Sequence, residues 1–483
     1  MKKFIAIVLF MTLCLAAFSL VSCDRKQATN VAPPEEEQST PKEYEYVQAY
    51  DGSEVTITFY HTMNKTYQGV LDKYIAKFNE IYPNITIEHS QVGGYDEVRD
   101  QIKTELTADN QPNIAYCYPD HVALYNVAEA VVPLNSFIDS TLEVKDKDGN
   151  VIEILGLTEE QKADFVEGFY AEGAVFDKGG TMYTLPMSKS TEVLYYNKTF
   201  FEKHGLEVPK TWDEMEALCK KILTIDKDCI PLGYDSEANW FITMCEQYNS
   251  PYTSNEKGKY FLFNNDTNKA FVKEFRDWYQ KGYVTTQELY GGYTSGLFTA
   301  TTGKNSYMSI GSTGGAMHQA PAPVDGVYPF EVGIAPIPQV DPENPKAISQ
   351  GPSLCIFENE NKQEVAASWL FVKFLTTNKA FQAEFSMTSG YMPVIKSVSD
   401  VPAYKNYLDG ANGTSKITAL AVKIGLENSD YYFVSPAFNG SSMARDTVGN
   451  LMQYCFVQPT DNVDALISDA FKQAMTACNN SLK

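Results

Sequence analysis

A chain of 483 residues is long enough for two or three domains, and an apolar share of 44% is that of a globular protein with real cores. With 39 basic against 61 acidic residues the formal net charge is -22, which argues against nucleic acid as a partner and against a basic membrane-binding face. Net charge says nothing about a small ligand, whose site is set by local groups.

Residues 1–23 come first in chain order. Lys2 and Lys3 precede an apolar run from Phe4 to Val21, which leads into Leu20-Val21-Ser22-Cys23. A basic start, an apolar centre and small residues before a cleavage point mark an export signal. The run also approaches the roughly 18–20 residues that span a membrane, so an uncleaved anchor helix is the alternative. The Leu-Val-Ser-Cys ending resembles the bacterial lipobox. That implies a signal peptide over 1–22, cleavage before Cys23 and a diacylglyceryl group on the Cys23 sulfur. On either reading the body works outside the cytoplasm, anchored to the bacterial cell membrane by one end. Residues 23–53 read as an acidic flexible linker. Pro33-Pro34, Glu35-Glu36-Glu37 and a scarcity of aliphatics leave too little surface to bury, and such a tether has an r.m.s. span of roughly 30 Å.

The body opens with Val55, Ile57 and Phe59 alternating with Thr56 and Thr58, a strand pattern. Val70, Leu71, Tyr74, Ile75, Phe78 and Ile81 then recur at helical spacing until Pro83. Ile85 and Ile87 begin a second strand, and Val98 to Leu106 a second helix. Strand, helix, strand, helix predicts an α/β layer with a mostly parallel sheet. Val193 to Tyr196 is a short apolar strand. Phe200, Phe201 and His204 belong to a helix ended by Gly205. Thr211-Trp212-Asp213-Glu214 is a capping box opening a helix through Ile222, with Trp212 packed beneath it. Later helices are expected near 269–281, 362–376, 446–454 and 462–477. No second stretch is long and apolar enough to cross a bilayer.

Chemistry-bearing motifs are few. There is no Gly-x-Ser-x-Gly elbow, no His-Glu-x-x-His and no Gly-x-x-x-x-Gly-Lys-Ser/Thr loop. His61, His89, His121, His204 and His318 are dispersed. Beyond Cys14 and Cys23, the cysteines at 117, 219, 229, 245, 355, 455 and 478 show no metal spacing. They read as scattered buried thiols, although one pairing among Cys219, Cys229 and Cys245 is compatible with export. No cofactor, metal or catalytic residue is expected.

Three stretches carry a resemblance. One is Thr184-Leu-Pro-Met-Ser-Lys-Ser-Thr-Glu-Val-Leu-Tyr-Tyr-Asn-Lys-Thr-Phe-Phe-Glu-Lys-His-Gly-Leu206, followed by Pro209-Lys-Thr-Trp-Asp-Glu214. Another is Asn79-Glu-Ile-Tyr-Pro-Asn-Ile85. The third is Lys373-Phe-Leu375 with Thr388-Ser-Gly-Tyr-Met-Pro393. Together they resemble the extracellular solute-binding proteins of bacterial ABC importers, the broad sugar-binding group that includes maltose-binding protein. The resemblance implies a two-lobe periplasmic-binding-protein-like fold (type II) with a ligand cleft between the lobes. One lobe would comprise residues 54–186 plus 306–358, the other 190–304 plus 362–483. It implies a monomer that hands a small molecule to ABC permease subunits without chemistry.

Phe59-Tyr60-His61-Thr62-Met63 is most similar to the glycerol-3-phosphate-binding members of that family. Carried over position by position, the likeness implies ligand contacts at Tyr95, Ser190, Trp240, Ser312, Gly351, Tyr391 and Arg445. Asp120, in Tyr118-Pro119-Asp120, stands one residue from a binding glutamate of those members.

Taken on their own chemistry, Arg445 and Tyr391 suit a phosphate or carboxylate clamp, since a guanidinium offers a planar fork of donors. A solvated Arg445 paired with Asp446 or Asp430 is the plainer alternative. Ser312-Thr313-Gly314-Gly315 leads into a helix at Ala316, either as an anion seat or simply as a cap. Tyr95, Trp240 and Tyr391 offer flat faces for a polyol or sugar, and Asp120 and Glu192 offer acceptors. The expected ligand is therefore glycerol 3-phosphate or a related phosphorylated polyol. Rivals are a receptor for a neutral mono- or oligosaccharide, a glycan-degrading surface lipoprotein, and an adhesive lipoprotein with a lost site.

Overall fold

A computed structural model describes residues 40–482; the signal, the Cys23 lipidation site and most of the linker lie outside the described residues. The near end of that linker is not free. Lys42 and Tyr44 donate their amides to Thr181 Oγ1 and Ser136 Oγ, both at 2.9 Å. Tyr44 stacks on Phe137 and Tyr50 is buried beside Tyr82. The expectation of a linker through residue 53 is therefore corrected. These two rings bury enough apolar surface to order the stretch of chain between them.

Two large mixed sheets organise the described residues. The first runs Ile85–Gln91, Val55–His61, Ile114–Cys117, Ser353–Ile356, Leu185–Pro186. Its first three strands are parallel and Ser353–Ile356 is antiparallel. The second centres on Ser190–Asn197, which pairs antiparallel with Met308–Ser312, Val332–Pro336 and Ala347–Gln350. Leu232–Tyr234 and Val284–Thr286 extend that sheet in parallel. Both sheets are thus mixed rather than mostly parallel, because Met308–Ser312, Val332–Pro336 and Ala347–Gln350 all come back antiparallel to a strand far earlier in the chain.

Local sequence accounts for the helices. Asn64 caps Lys65–Ile81, accepting from the amides of Thr66 and Tyr67, and its buried face is Tyr67, Val70, Leu71, Tyr74 and Phe78. Thr211 and Glu214 form the capping box of Trp212–Ile225, with Trp212 buried under the helix. Gly205 closes Lys198–His204 in the left-handed conformation.

Each sheet has its own core. Helices Lys362–Thr377, Lys379–Ser389 and Pro402–Asp409 pack in the first, where Phe371 meets Phe59 and Phe78, Trp369 meets Phe137 and Phe381 meets Tyr74. Helices Trp212–Ile225, Glu237–Gln247, Asp266–Gln280, Ser441–Val457 and Val463–Ser481 pack in the second. The expected allotment of 306–358 to the first lobe and 362–483 to the second is corrected accordingly. Residues 308–350 supply strands to the second sheet, and the helices from 362 to 409 cover the first. The reason is edge pairing: Ser190–Asn197 offers both its edges, and the later strands fill them.

The chain crosses between the sheets at neighbouring points. Met187 and Ser188 donate their amides to the carbonyl of Pro352, and Lys189 exchanges two backbone bonds with Met392, at 3.0 and 2.6 Å. Gly351 sits in this bundle at φ 96°. A Cβ there would lie 2.5 Å from the Ser188 carbonyl oxygen, so only glycine fits. Among the described residues no helix is long and apolar enough to cross a membrane.

Candidate ligand-binding cleft

Two adjoining cavities lie beside the crossing segments. The larger holds about 570 Å³ of space, partly open to solvent, and its lining includes Tyr118, Asp120, Glu172, Tyr252, Gln350 and Arg445. The smaller, of about 360 Å³, is lined by Met63, Tyr67, Tyr95, Tyr116, Ser188 and Tyr391 among others. A stacked pair separates them: the rings of Tyr95 and Tyr118 lie 4.4 Å apart, tilted by 22°.

Arg445 comes from the helix Ser441–Val457 and is partly buried. Its Nη2 donates to Asn239 Oδ1, and its guanidinium lies 5.9 Å from the centre of the Tyr118 ring. Burial acts against its charge, but Asp120, Tyr118 and Tyr252 outweigh that and hold its pKa above the usual value. It is not the solvated arginine paired with Asp446 or Asp430. Asp446 turns instead to Arg99, at 3.1 Å. Asp120, next to the Pro119 that opens Pro119–Tyr125, presents a buried Oδ2 with no hydrogen-bond partner. Ser188 Oγ in the smaller cavity is likewise unpartnered. Buried polar atoms without partners cost free energy unless a ligand or water satisfies them.

The other expected residues divide. Tyr391 lines the smaller cavity together with Tyr95, and its ring is seated on Gly314, where a Cβ would come within 2.5 Å of the ring. The Ser312-Thr-Gly-Gly run thus serves that close approach. Ser312 itself caps the 3-10 turn Thr313–Gln319 through the Gly314 amide, at 3.1 Å, and its carbonyl accepts from Tyr195 Oη. Ser190 is buried opposite Gln350 in the second sheet, and Gly351 joins the two sheets.

Trp240 is a correction. It is sealed in the second core, 4.6 Å from the Tyr234 ring and 4.2 Å from Phe275, and lines neither cavity. Helix Glu237–Gln247 turns Ile242 to the larger cavity and Trp240 inward, because the tryptophan has more apolar surface to bury. Glu192 is also no open acceptor: it is 2% exposed and bonded to Tyr234 and Asn239.

Sequence reasoning passed over Tyr118, Tyr252, Glu172 and Ser188. Tyr118 had a signal, standing next to the Pro119-Asp120 pair already singled out; the others lie far apart in sequence. Glu172 is notable for position. Its Oε1 accepts from Lys189 at 2.6 Å and its Oε2 from Ser349 at 3.2 Å, so it ties two crossing segments together at the cavity wall. His61 and His121 both hold low pKa values because burial disfavours their charge, His61 at about 3 with His89 beside it. His61 accepts from the Met63 amide and meets His89 at 2.8 Å, a structural chain at the end of the first strand. The seven described cysteines are all buried and free.

The profile of the family described as bacterial extracellular solute-binding protein matches residues 73–410. The sn-glycerol-3-phosphate-binding periplasmic protein UgpB of Salmonella typhimurium is 24% identical over 383 residues, covering 75% of this chain and 80% of that protein. The UgpB of Escherichia coli K12 matches over the same extent at 24%. Among solved structures, UgpB from Mycobacterium tuberculosis in complex with glycerophosphocholine superposes with a TM-score of 0.69 at 17% identity, over 89% of this chain and 100% of that one. Maltose-bound MalE3 of Thermotoga maritima superposes with a TM-score of 0.67 at 18% identity, over 87% and 99%. At such identities these structures speak for the two-lobe fold alone.

Proposed function

This chain belongs to the bacterial extracellular solute-binding proteins, and we propose that its cleft captures glycerol 3-phosphate or a related phosphorylated polyol. It is a substrate-binding protein of an ABC importer. The observation that carries the choice of ligand is the presence of Arg445 and Asp120 on the wall of one cavity. A guanidinium takes a phosphate through charge-assisted bonds, and a carboxylate oxygen without a partner accepts from hydroxyls. The stacked Tyr95 and Tyr118 add an apolar face for the carbon chain. The names of the matched UgpB proteins support the same ligand class. Lipid on Cys23 would hold the body at the outer face of the bacterial membrane, beside the permease subunits that receive the ligand.

The test is calorimetric titration with glycerol 3-phosphate and with glycerol. Replacing Arg445 by Ala should weaken the phosphorylated ligand by about 10- to 100-fold, since a charged hydrogen bond contributes ~1.5–3 kcal/mol, and leave glycerol unchanged. Equal affinity before and after the change would remove the anion from the proposal. A second reading, a neutral mono- or oligosaccharide receptor, is favoured by the tyrosine lining of the smaller cavity. A thermal-shift screen of maltose, maltotriose and phosphorylated polyols separates the two.

A further inference from the structure

Behind Arg445 lies a buried chain of polar groups that makes no contact with either cavity. Asn239, 2% exposed on the helix Glu237–Gln247, accepts from Arg445 Nη2 with its carbonyl oxygen. Its amide nitrogen donates to Glu192 Oε1 at 3.0 Å. Glu192 Oε2 in turn accepts from Tyr234 Oη at 2.6 Å. The two ends fix the amide's orientation: oxygen to the cation, nitrogen to the carboxyl. We infer that Glu192 is a positioning residue for Arg445, acting through Asn239, and that it takes up a proton when an anion enters the cleft. This rests on the reading of Arg445 as the anion-binding group.

The charges around Glu192 favour this role. Tyr234 and Asp235 face it from the next strand but one and the turn after it, Asn239 from the helix 237–247, and Arg445 from the helix 441–457. Its partner across the adjacent strand, Ser312, is neutral. Burial raises the Glu192 pKa to about 7, while the bonds from Tyr234 and Asn239 and the charge of Arg445 pull it back. In the empty cleft the Arg445 charge therefore supports a partly ionised Glu192. A bound anion draws on that same charge and adds a negative one, so the ionised carboxyl becomes less favourable and a proton binds. The reverse holds by linkage: a protonated Glu192 leaves Arg445 with more net positive charge to offer. Affinity for an anion should rise as pH falls from about 8.5 towards 7, a range in which a phosphate monoester with a second pKa near 6 stays mostly dianionic.

The experiment is isothermal titration of the full exported chain at pH 7.5 in two buffers of different ionisation enthalpy, repeated from pH 7 to 8.5. The probes are glycerol 3-phosphate, inorganic phosphate and sulfate. Wild type should take up a measurable fraction of one proton per anion and bind several-fold tighter at pH 7 than at 8.5. In E192Q, which keeps the shape and the bond to Tyr234 or Asn239, the uptake should fall to that of the ligand alone and the pH profile flatten. N239A should lose affinity and uptake together, whereas a merely structural role for Glu192 would leave the pH profile of E192Q unchanged. Identical proton uptake in wild type and E192Q overturns the inference alone. Binding of sulfate or phosphate with Glu192-dependent uptake, but none of glycerol 3-phosphate, supports the inference and overturns the choice of ligand. Failure of every anion to bind overturns both.

Discussion

At the scale of single residues, what decides a side chain's role is whether its neighbours leave a polar atom wanting. Asp120 Oδ2 and Ser188 Oγ are wanting, whereas Ser312 Oγ is spent on the Gly314 amide and the Glu192 oxygens on Tyr234 and Asn239. Gly351 illustrates a role with no side chain at all. Its φ of 96° and the 2.5 Å approach of the Ser188 carbonyl both exclude a Cβ. Gly351→Ala should therefore destabilise the protein by about 2 kcal/mol or more, combining left-handed strain with the clash. Urea unfolding of the purified variant checks this: a midpoint equal to wild type would mean that the crossing segments yield more easily than their packing implies. Arg445→Ala removes the guanidinium that sits between Asp120 and Asn239, so the loss should fall on charged ligands only.

At the scale of elements, the helices follow from short-range chemistry. The Thr211 hydroxyl accepts from the Glu214 amide at 3.2 Å, and Glu214 Oε2 accepts from the Thr211 amide. Thr211→Ala should cost about 1 kcal/mol, read as a lowered thermal midpoint with ligand affinity unchanged, because this helix end lies away from both cavities. Such boxes are legible in a linear sequence because both partners lie within one turn. The strands are another matter. Nothing within Met308–Ser312 tells which sheet it will join. It pairs with Leu194 and its neighbours, more than a hundred residues earlier, and that long-range choice carries the segment from one lobe to the other.

On the scale of the whole molecule, the two lobes touch across the cleft as well as through the crossing strands. Arg99, on the helix Tyr95–Leu106 beside the first sheet, reaches Ser442 Oγ and Asp446 Oδ2 on Ser441–Val457, each at 3.1 Å. Asp96 and Asp100 on its own helix hold the same guanidinium. An ion pair that forms only when the lobes meet favours the closed form by its own differential energy. Arg99→Ala should raise the ligand-free radius of gyration in small-angle scattering. At about 1 kcal/mol for such a pair, the open-to-closed ratio should rise roughly fivefold. Curves that superpose with wild type would assign closure to other contacts. The buried Lys189–Glu172 pair lies instead among the crossing segments and ties them to one another.

The sequence by itself determined the α/β class, the capped helices, the glycine stop at 205 and the family resemblance. All of these rest on patterns a few residues long. It also placed Tyr95, Asp120, Tyr391 and Arg445 among the residues to watch, and the fold gathers these four into two adjoining cavities. Only the tertiary structure decided that Trp240 is core, that residues 40–53 lie against the body, and which strands share a sheet. Each of these depends on partners distant in sequence. An aromatic side chain goes wherever it buries most surface, and that place exists only once Tyr234, Phe275 and Phe456 have been brought together.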